Sequence, residues 1–254
     1  MKKRLFIFFE LWFSTLLILS LQALAQKQEE ETFFRANQAF EQGQYQEAID
    51  RYHHLIDKGY ENGHLNYNLA NAYLRSEQLG RAILHYERAR LLMPRDPDLN
   101  FNLNYALDQT IDALPQSRSF IRAGFFWIDS LTLNELFWGF AVINLLFWVI
   151  LFIRIFRRPE LTYYLTIILL ISWLITGLSF GIKLYSQETD DRAVILAKGA
   201  NILAGPDSND TILFKLHEGA IVQQERTETD WALIRLSNDK RGWVQRKFVE
   251  KIRK

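Results

Sequence analysis

The chain has 254 residues, with 30 Lys+Arg against 29 Asp+Glu and a formal net charge of +1. That balance argues against nucleic acid as a main partner, which requires a basic surface. There is no cysteine, so disulfides, zinc–thiolate sites and cysteine nucleophiles are excluded together.

At the N-terminus, Met1-Lys2-Lys3-Arg4 is a positive region and Leu5 to Leu21 is mostly apolar, Glu10 apart. Ala23-Leu24-Ala25 before Gln26 has the small-x-small cleavage pattern. Residues 1–25 read as a secretory signal peptide, the alternative being an uncleaved anchor. Either reading exports the segment that follows.

Residues 29–62 and 63–96 align with an offset of 34, the period of a two-helix repeat. Ala36 pairs with Ala70, Tyr45 with Leu79, Ala48 with Ala82, Ile49 with Ile83 and Tyr52 with Tyr86. Small residues suit close helix crossings and large ones fill the space between helix pairs. Glu41 to Tyr45 is expected to be the turn inside the first pair, with Gly43 available for positive φ. The second repeat carries Leu69, Ala70, Tyr73, Ala82, Tyr86, Ala89 and Pro94. It resembles the tetratricopeptide (TPR) consensus. A third helix entry, Leu99-Asn100-Phe101-Asn102-Leu103, echoes Leu65-Asn66-Tyr67-Asn68-Leu69 and is expected to cap the stack, for a TPR region over 29–112. In such a stack the first helix of each pair lines a concave groove. Here that predicts Phe33, Asn37 and Phe40, then Tyr67, Asn71, Leu74 and Arg75, then Phe101, Tyr105 and Asp108. Asn37 and Asn71 occupy equivalent positions, and an amide can both donate to and accept from a peptide backbone. The groove is expected to hold a partner segment on an aromatic floor.

Residues 113–135 interleave aromatics and arginines and read as a membrane-proximal linker. An interfacial helix fits its composition, and a helix packed on the TPR fits it equally. Two apolar runs follow, 136–153 and 161–182, each near the roughly 20 residues that a bilayer core requires. Between them, Arg154-Ile155-Phe156-Arg157-Arg158-Pro159-Glu160 cannot sit in the core, because one arginine there costs about 2.5–3.5 kcal/mol. The prediction is a two-helix hairpin with a cytoplasmic turn over 154–160. Both flanking segments then face the periplasm or cell exterior. Trp138 and Trp148 fall where aromatic belts occur. Asn144 could bond to the other helix, and Thr176-Gly177 with Ser179 to Gly181 offer close-packing surfaces.

From about residue 190 the pattern turns to short β-rich runs between turns. The expected strands are Ala193–Leu196, Ile212–Leu216, Ala220–Gln224, Trp231–Leu236 and Gly242–Gln245. Asn201-Ile202-Leu203-Ala204-Gly205-Pro206, Leu216-His217-Glu218-Gly219, Asp230-Trp231-Ala232-Leu233-Ile234-Arg235 and Gly242-Trp243-Val244 resemble a bacterial SH3 domain over 190–254. An arginine usual in that pattern is replaced by Leu203. Trp231 and Trp243 are candidate ligand contacts, against the competing reading that both complete the barrel core. Asn201 is read as a turn-stabilising residue.

No catalytic residues and no cofactor are expected. None of the five histidines, His53, His54, His64, His85 and His217, has metal-ligand spacing with acidic neighbours, and no HExxH motif appears. There is no phosphate loop and no GxSxG elbow.

The fold class is thus a multidomain membrane protein: an all-α TPR superhelix, a two-helix transmembrane hairpin and an all-β SH3-like small barrel. This order, with the two Leu-Asn-x-Asn-Leu helix entries, resembles the BatE family of bacterial aerotolerance (Bat) operons. The resemblance implies an inner-membrane, periplasm-facing scaffold. Its partners would be other Bat proteins, several with von Willebrand factor A domains, and a MoxR-type ATPase, in tolerance of oxygen or oxidative stress. Two other readings stay open: a sensor that binds cell-wall peptidoglycan, and a subunit that positions a hydrolase or ATPase complex.

Overall fold

The structure, a computed structural model, describes residues 27–112, 124–157, 159–237 and 239–253. The expected signal segment, residues 113–123 of the expected linker and Arg158 of the basic turn lie outside the described residues.

Five helices make the TPR part: α1 (27–41), α2 (Tyr45–Asp57), α3 (Gly63–Arg75), α4 (Leu79–Leu92) and α5 (Pro97–Asp108). Gly43 takes φ +77 in the α1–α2 turn, which only glycine adopts without strain. Asn62 caps α3 by accepting from the Leu65 N–H at 2.7 Å, and Asp96 caps α5 by accepting from the Leu99 N–H at 2.9 Å. Each such cap is worth about 1 kcal/mol. Pro97 then opens α5, where its missing N–H costs nothing. Ala36, Ala48, Ala70 and Ala82 are fully buried at the helix crossings, and Tyr52 and Tyr86 fill the gaps between them.

The C-terminal part is one antiparallel sheet of seven strands. They are β1 (Arg192–Ile195), β2 (Ala200–Leu203), β3 (Ile212–Leu216), β4 (Ile221–Glu228), β5 (Trp231–Arg235), β6 (Arg241–Gln245) and β7 (Val249–Lys251), in the order β3-β2-β6-β5-β4-β1-β7. Two strands go beyond the sequence expectation. Asn201 lies inside β2, exposed and opposite Lys215, and is not a turn residue. The sheet has its own core, including Ile202, Val222, Ile234 and Val244.

The two parts are packed together. Val194 of β1 and Ile252 belong to the same buried cluster as the TPR helices. Helix α4 is therefore buried along its whole middle, Ala82 to Ala89, with helices on one side and the sheet on the other. Gly80 is a point of close approach: a Cβ there would lie 2.6 Å from the Ile195 carbonyl oxygen.

Helices α6 (Leu133–Phe156) and α7 (Glu160–Glu188) form an antiparallel pair, each long and apolar enough to cross a membrane. At 1.5 Å per residue they reach about 36 and 44 Å. Both outrun the apolar runs read from sequence. A capping box between Thr132 and Glu135 starts α6 earlier, so residues 133–135 are helix and not linker. Helix α7 continues through polar residues to Glu188 and leads into β1. Trp173 Nε1 donates to Asn144 Oδ1 at 3.0 Å, joining the helices at mid-length. Gly177 lets Phe140 pack against α7. Residues 125–130 form turns rather than the expected helix, and they dock on α7.

Candidate functional site

Helices α1 to α5 are joined by a hydrogen-bond ladder that repeats with the sequence period. Asn37 Oδ1 accepts from the Tyr52 hydroxyl at 2.6 Å and from Asn68 Nδ2 at 3.0 Å. One repeat later, Asn71 Oδ1 accepts from the Tyr86 hydroxyl at 2.6 Å and from Asn102 Nδ2 at 3.1 Å. Burial holds the Tyr52 and Tyr86 pKa values well above the usual range, so both are neutral donors. The two Leu-Asn-x-Asn-Leu entries thereby acquire a physical meaning. Their second asparagine, Asn68 or Asn102, clips each repeat to the one before. Their first, Asn66 or Asn100, is used locally: Asn66 Oδ1 meets His85 Nδ1 at 2.9 Å, and Asn100 Nδ2 donates to the Asp96 carbonyl at 2.8 Å.

This arrangement narrows the expected role of Asn37 and Asn71. Their carbonyl oxygens are occupied inside the protein, so only their amide nitrogens are left for a ligand. Phe33 is half-buried with its ring 6.0 Å from that of Tyr52. Tyr67 is half-buried against Tyr86, and its hydroxyl accepts from Asn102 Nδ2 at 2.9 Å. Arg75 is exposed and lies over the Tyr45 ring at 5.3 Å. Phe101 and Tyr105 are 72% and 56% exposed. They sit one helical turn apart on α5 and give it an exposed aromatic surface.

The two candidate tryptophans of the sheet part company. Trp243 is 7% exposed, lies opposite Leu203 and Leu233, and is covered by the Arg226 guanidinium at 5.1 Å. It completes the barrel and presents little surface to a ligand. Trp231 is half-buried and lines an open cleft of about 840 Å³ with Pro206, Asp207, Asp230, Arg246 and Lys247. One aromatic face with carboxylates and cations on its rim suits a short peptide bearing both charges. Arg246 and Lys247 were not legible as site residues, because they enter the cleft only through the short 3-10 turn Arg246–Phe248.

The TPR helices and the sheet are tied through α4. Arg192 Nη1 donates to Glu87 Oε2 at 3.1 Å, and Arg88 donates to the Ile252 and Lys251 carbonyls at 2.9 Å and to Glu250 at 2.8 Å. Asp112 accepts from the His217 N–H at 2.5 Å. Near this seam His53, Tyr73 and His85 form an aromatic cluster, with the Tyr73 hydroxyl hydrogen-bonded to His53 Nε2. Burial lowers the His53 pKa. Among the described residues, no three histidine or acidic side chains are placed to hold a metal ion.

Comparison with known proteins agrees with this geometry in two places. Residues 39–103 match the Tetratricopeptide repeat family and residues 197–251 match the Bacterial SH3 domain family. No curated protein matches the chain. The chain therefore combines a TPR region and a bacterial SH3 domain, modules of protein–protein interaction or cell-wall binding, with two apolar helices between them.

Proposed function

We propose that this protein is a non-enzymatic scaffold, anchored in the bacterial cytoplasmic membrane by α6 and α7, that presents the TPR groove and the SH3 cleft together outside the cytoplasm. The observation that carries this reading is the α4 seam. Because the TPR and the sheet share one buried cluster, they stand on the same side of any membrane that the hairpin crosses. The positive-inside rule puts the turn at Arg154 and Arg157 in the cytoplasm, which leaves both modules outside. The resemblance to the BatE family suggests the finer assignment: assembly of a Bat-type complex, with von Willebrand factor A domain partners, in tolerance of oxygen or oxidative stress.

The groove reading rests on Phe101 and Tyr105, which are exposed and aromatic, more than on the asparagines, which hold the fold. A photocrosslinker at Tyr105 in intact membranes is expected to capture a membrane-protein partner, and Phe101→Ala is expected to lose it. Capture unaffected by Phe101→Ala would remove the groove from the account. Alkaline phosphatase fused after Lys183 is expected to be active, and fused at Arg157 inactive; the reverse would overturn the topology.

The cleft supports a second reading, a cell-wall sensor. Trp231 flanked by Asp207, Asp230, Arg246 and Lys247 fits a wall peptide with free amino and carboxylate groups. Cosedimentation of the full chain in detergent with purified peptidoglycan, lost in Trp231→Ala, would favour it.

A further inference from the structure

The turn at residues 125–130 sits at a defined height on the hairpin. Lys183 Nζ donates to the Ile128 carbonyl at 2.9 Å, and Trp127 Nε1 donates to Ser179 Oγ at 3.1 Å. Ser179 is one helical turn, about 6 Å, nearer the middle of α7 than Lys183. The two contacts therefore touch α7 at two levels, and the lower of them, at Ser179, is reached by the Trp127 side chain. The Phe137–Phe180 ring contact, at 5.9 Å, places that lower level beside the second turn of α6. Phe137 and Trp138 are exposed there. Just above it the surface becomes polar, where Arg95 pairs with Glu135.

The turn is docked rather than loose, since Ile128, Leu136 and Ser179 are all buried. Phe126 nevertheless faces outward, with Phe125 and Trp127 half-buried beside it. Phe126 is 74% exposed, and the Phe125 and Phe126 rings meet Trp127 edge-on at 5.3 and 5.2 Å. Aromatic rings at the rim of an apolar hairpin belong at the membrane–water boundary, where an apolar body and a polar tip are both satisfied.

We infer that Phe125, Phe126 and Trp127 form a wedge inserted into the outer edge of the bilayer, so that this turn binds lipid and is not merely a connection. The inference rests on the hairpin spanning the membrane. Its occupant is lipid because the exposed Phe126 ring continues the apolar rim formed by Phe137 and Trp138. The wedge would fix the height of the TPR above the membrane through the Arg95–Glu135 pair.

The absence of cysteine makes single-site labelling clean. Phe126→Cys, Val142→Cys and Ile212→Cys, each spin-labelled in the full chain, are reconstituted in phosphatidylethanolamine–phosphatidylglycerol vesicles. Relaxation by oxygen is compared with relaxation by a water-soluble nickel chelate. The label at 126 is expected to relax more through oxygen, as at 142, and the label at 212 more through nickel. Nickel-dominated relaxation at 126 with a lipid-like 142 overturns the wedge alone. A label at 126 shielded from both reagents means that protein covers it and overturns the wedge equally. A water-exposed 142 overturns the hairpin and the wedge together.

Discussion

Glu87 and Arg192 lie 105 residues apart in the chain and form a 3.1 Å ion pair beneath the surface between the TPR and the sheet. Glu87 has no exposed surface and also holds Arg90 at 2.6 Å. Arg192 in turn grips Asp190 at 2.7 Å. Burial by itself would lower the Arg192 pKa, but Asp190 and Glu87 outweigh it and raise the pKa, so the charge persists. Removing one partner from such a set strands a buried charge, which costs about 3–5 kcal/mol. Since Arg90 still faces Glu87, Arg192→Met is expected to cost about 3 kcal/mol in chemical denaturation. Glu87→Gln added to it is expected to restore part of that loss. An additive double variant would show that the two residues do not act as a pair.

The same seam can be tested sterically. A Cβ at Gly80 would meet backbone atoms, the Ile195 oxygen at 2.6 Å and the Leu196 Cα at 3.0 Å, so neither can swing aside as a side chain would. Gly80→Ala is expected to lose about 1–3 kcal/mol, as overpacking does, and to raise amide exchange in both α4 and β1. Gly181→Ala, with open space around it, is the control and is expected to leave exchange unchanged.

Stability is expected to fall at both ends of the pH scale. Burial raises the pKa of Tyr52, Tyr73 and Tyr86. Their contribution is intact below the unfolded value of about 10 and is lost as pH rises above it, because the unfolded chain releases these protons first. Burial lowers the His53 pKa. Below a pH of about 6.5 the unfolded chain gains a proton that the folded protein resists, and stability drops. Melting temperature across pH 5 to 11 (a range of about six units) reads both limbs. Tyr86→Phe should flatten the alkaline limb, and an unchanged slope would contradict the assignment.

Trp231 and Trp243 should separate cleanly in one experiment. Trp243→Ala empties a buried site and is expected to cost about 3–5 kcal/mol. Trp231→Ala, in the half-open cleft, is expected to cost about 1–2 kcal/mol from lost apolar contact and to abolish whatever ligand the cleft takes. Equal stability costs would return both residues to the core.

The sequence alone determined the elements whose evidence is local or periodic. The offset of 34 set the TPR pairs and the equivalence of Asn37 with Asn71, and two apolar runs around an arginine turn set the hairpin. Periodicity can do this because a repeated contact leaves a repeated residue. It even held the clue to Asn68 and Asn102, which stand at the same offset and clip the repeats together. The tertiary structure decided what those residues are for. It turned Asn37 and Asn71 from free amides into acceptors inside the fold, because Tyr52 and Tyr86 reach them from 15 residues away. It split the two tryptophans, since only Trp243 has Arg226 above it. Above all it joined α4 to β1 through Glu87 and Arg192. An ion pair between residues 105 apart leaves no period and no spacing to read. It exists only because the fold brings the TPR helices and the sheet back to the same place.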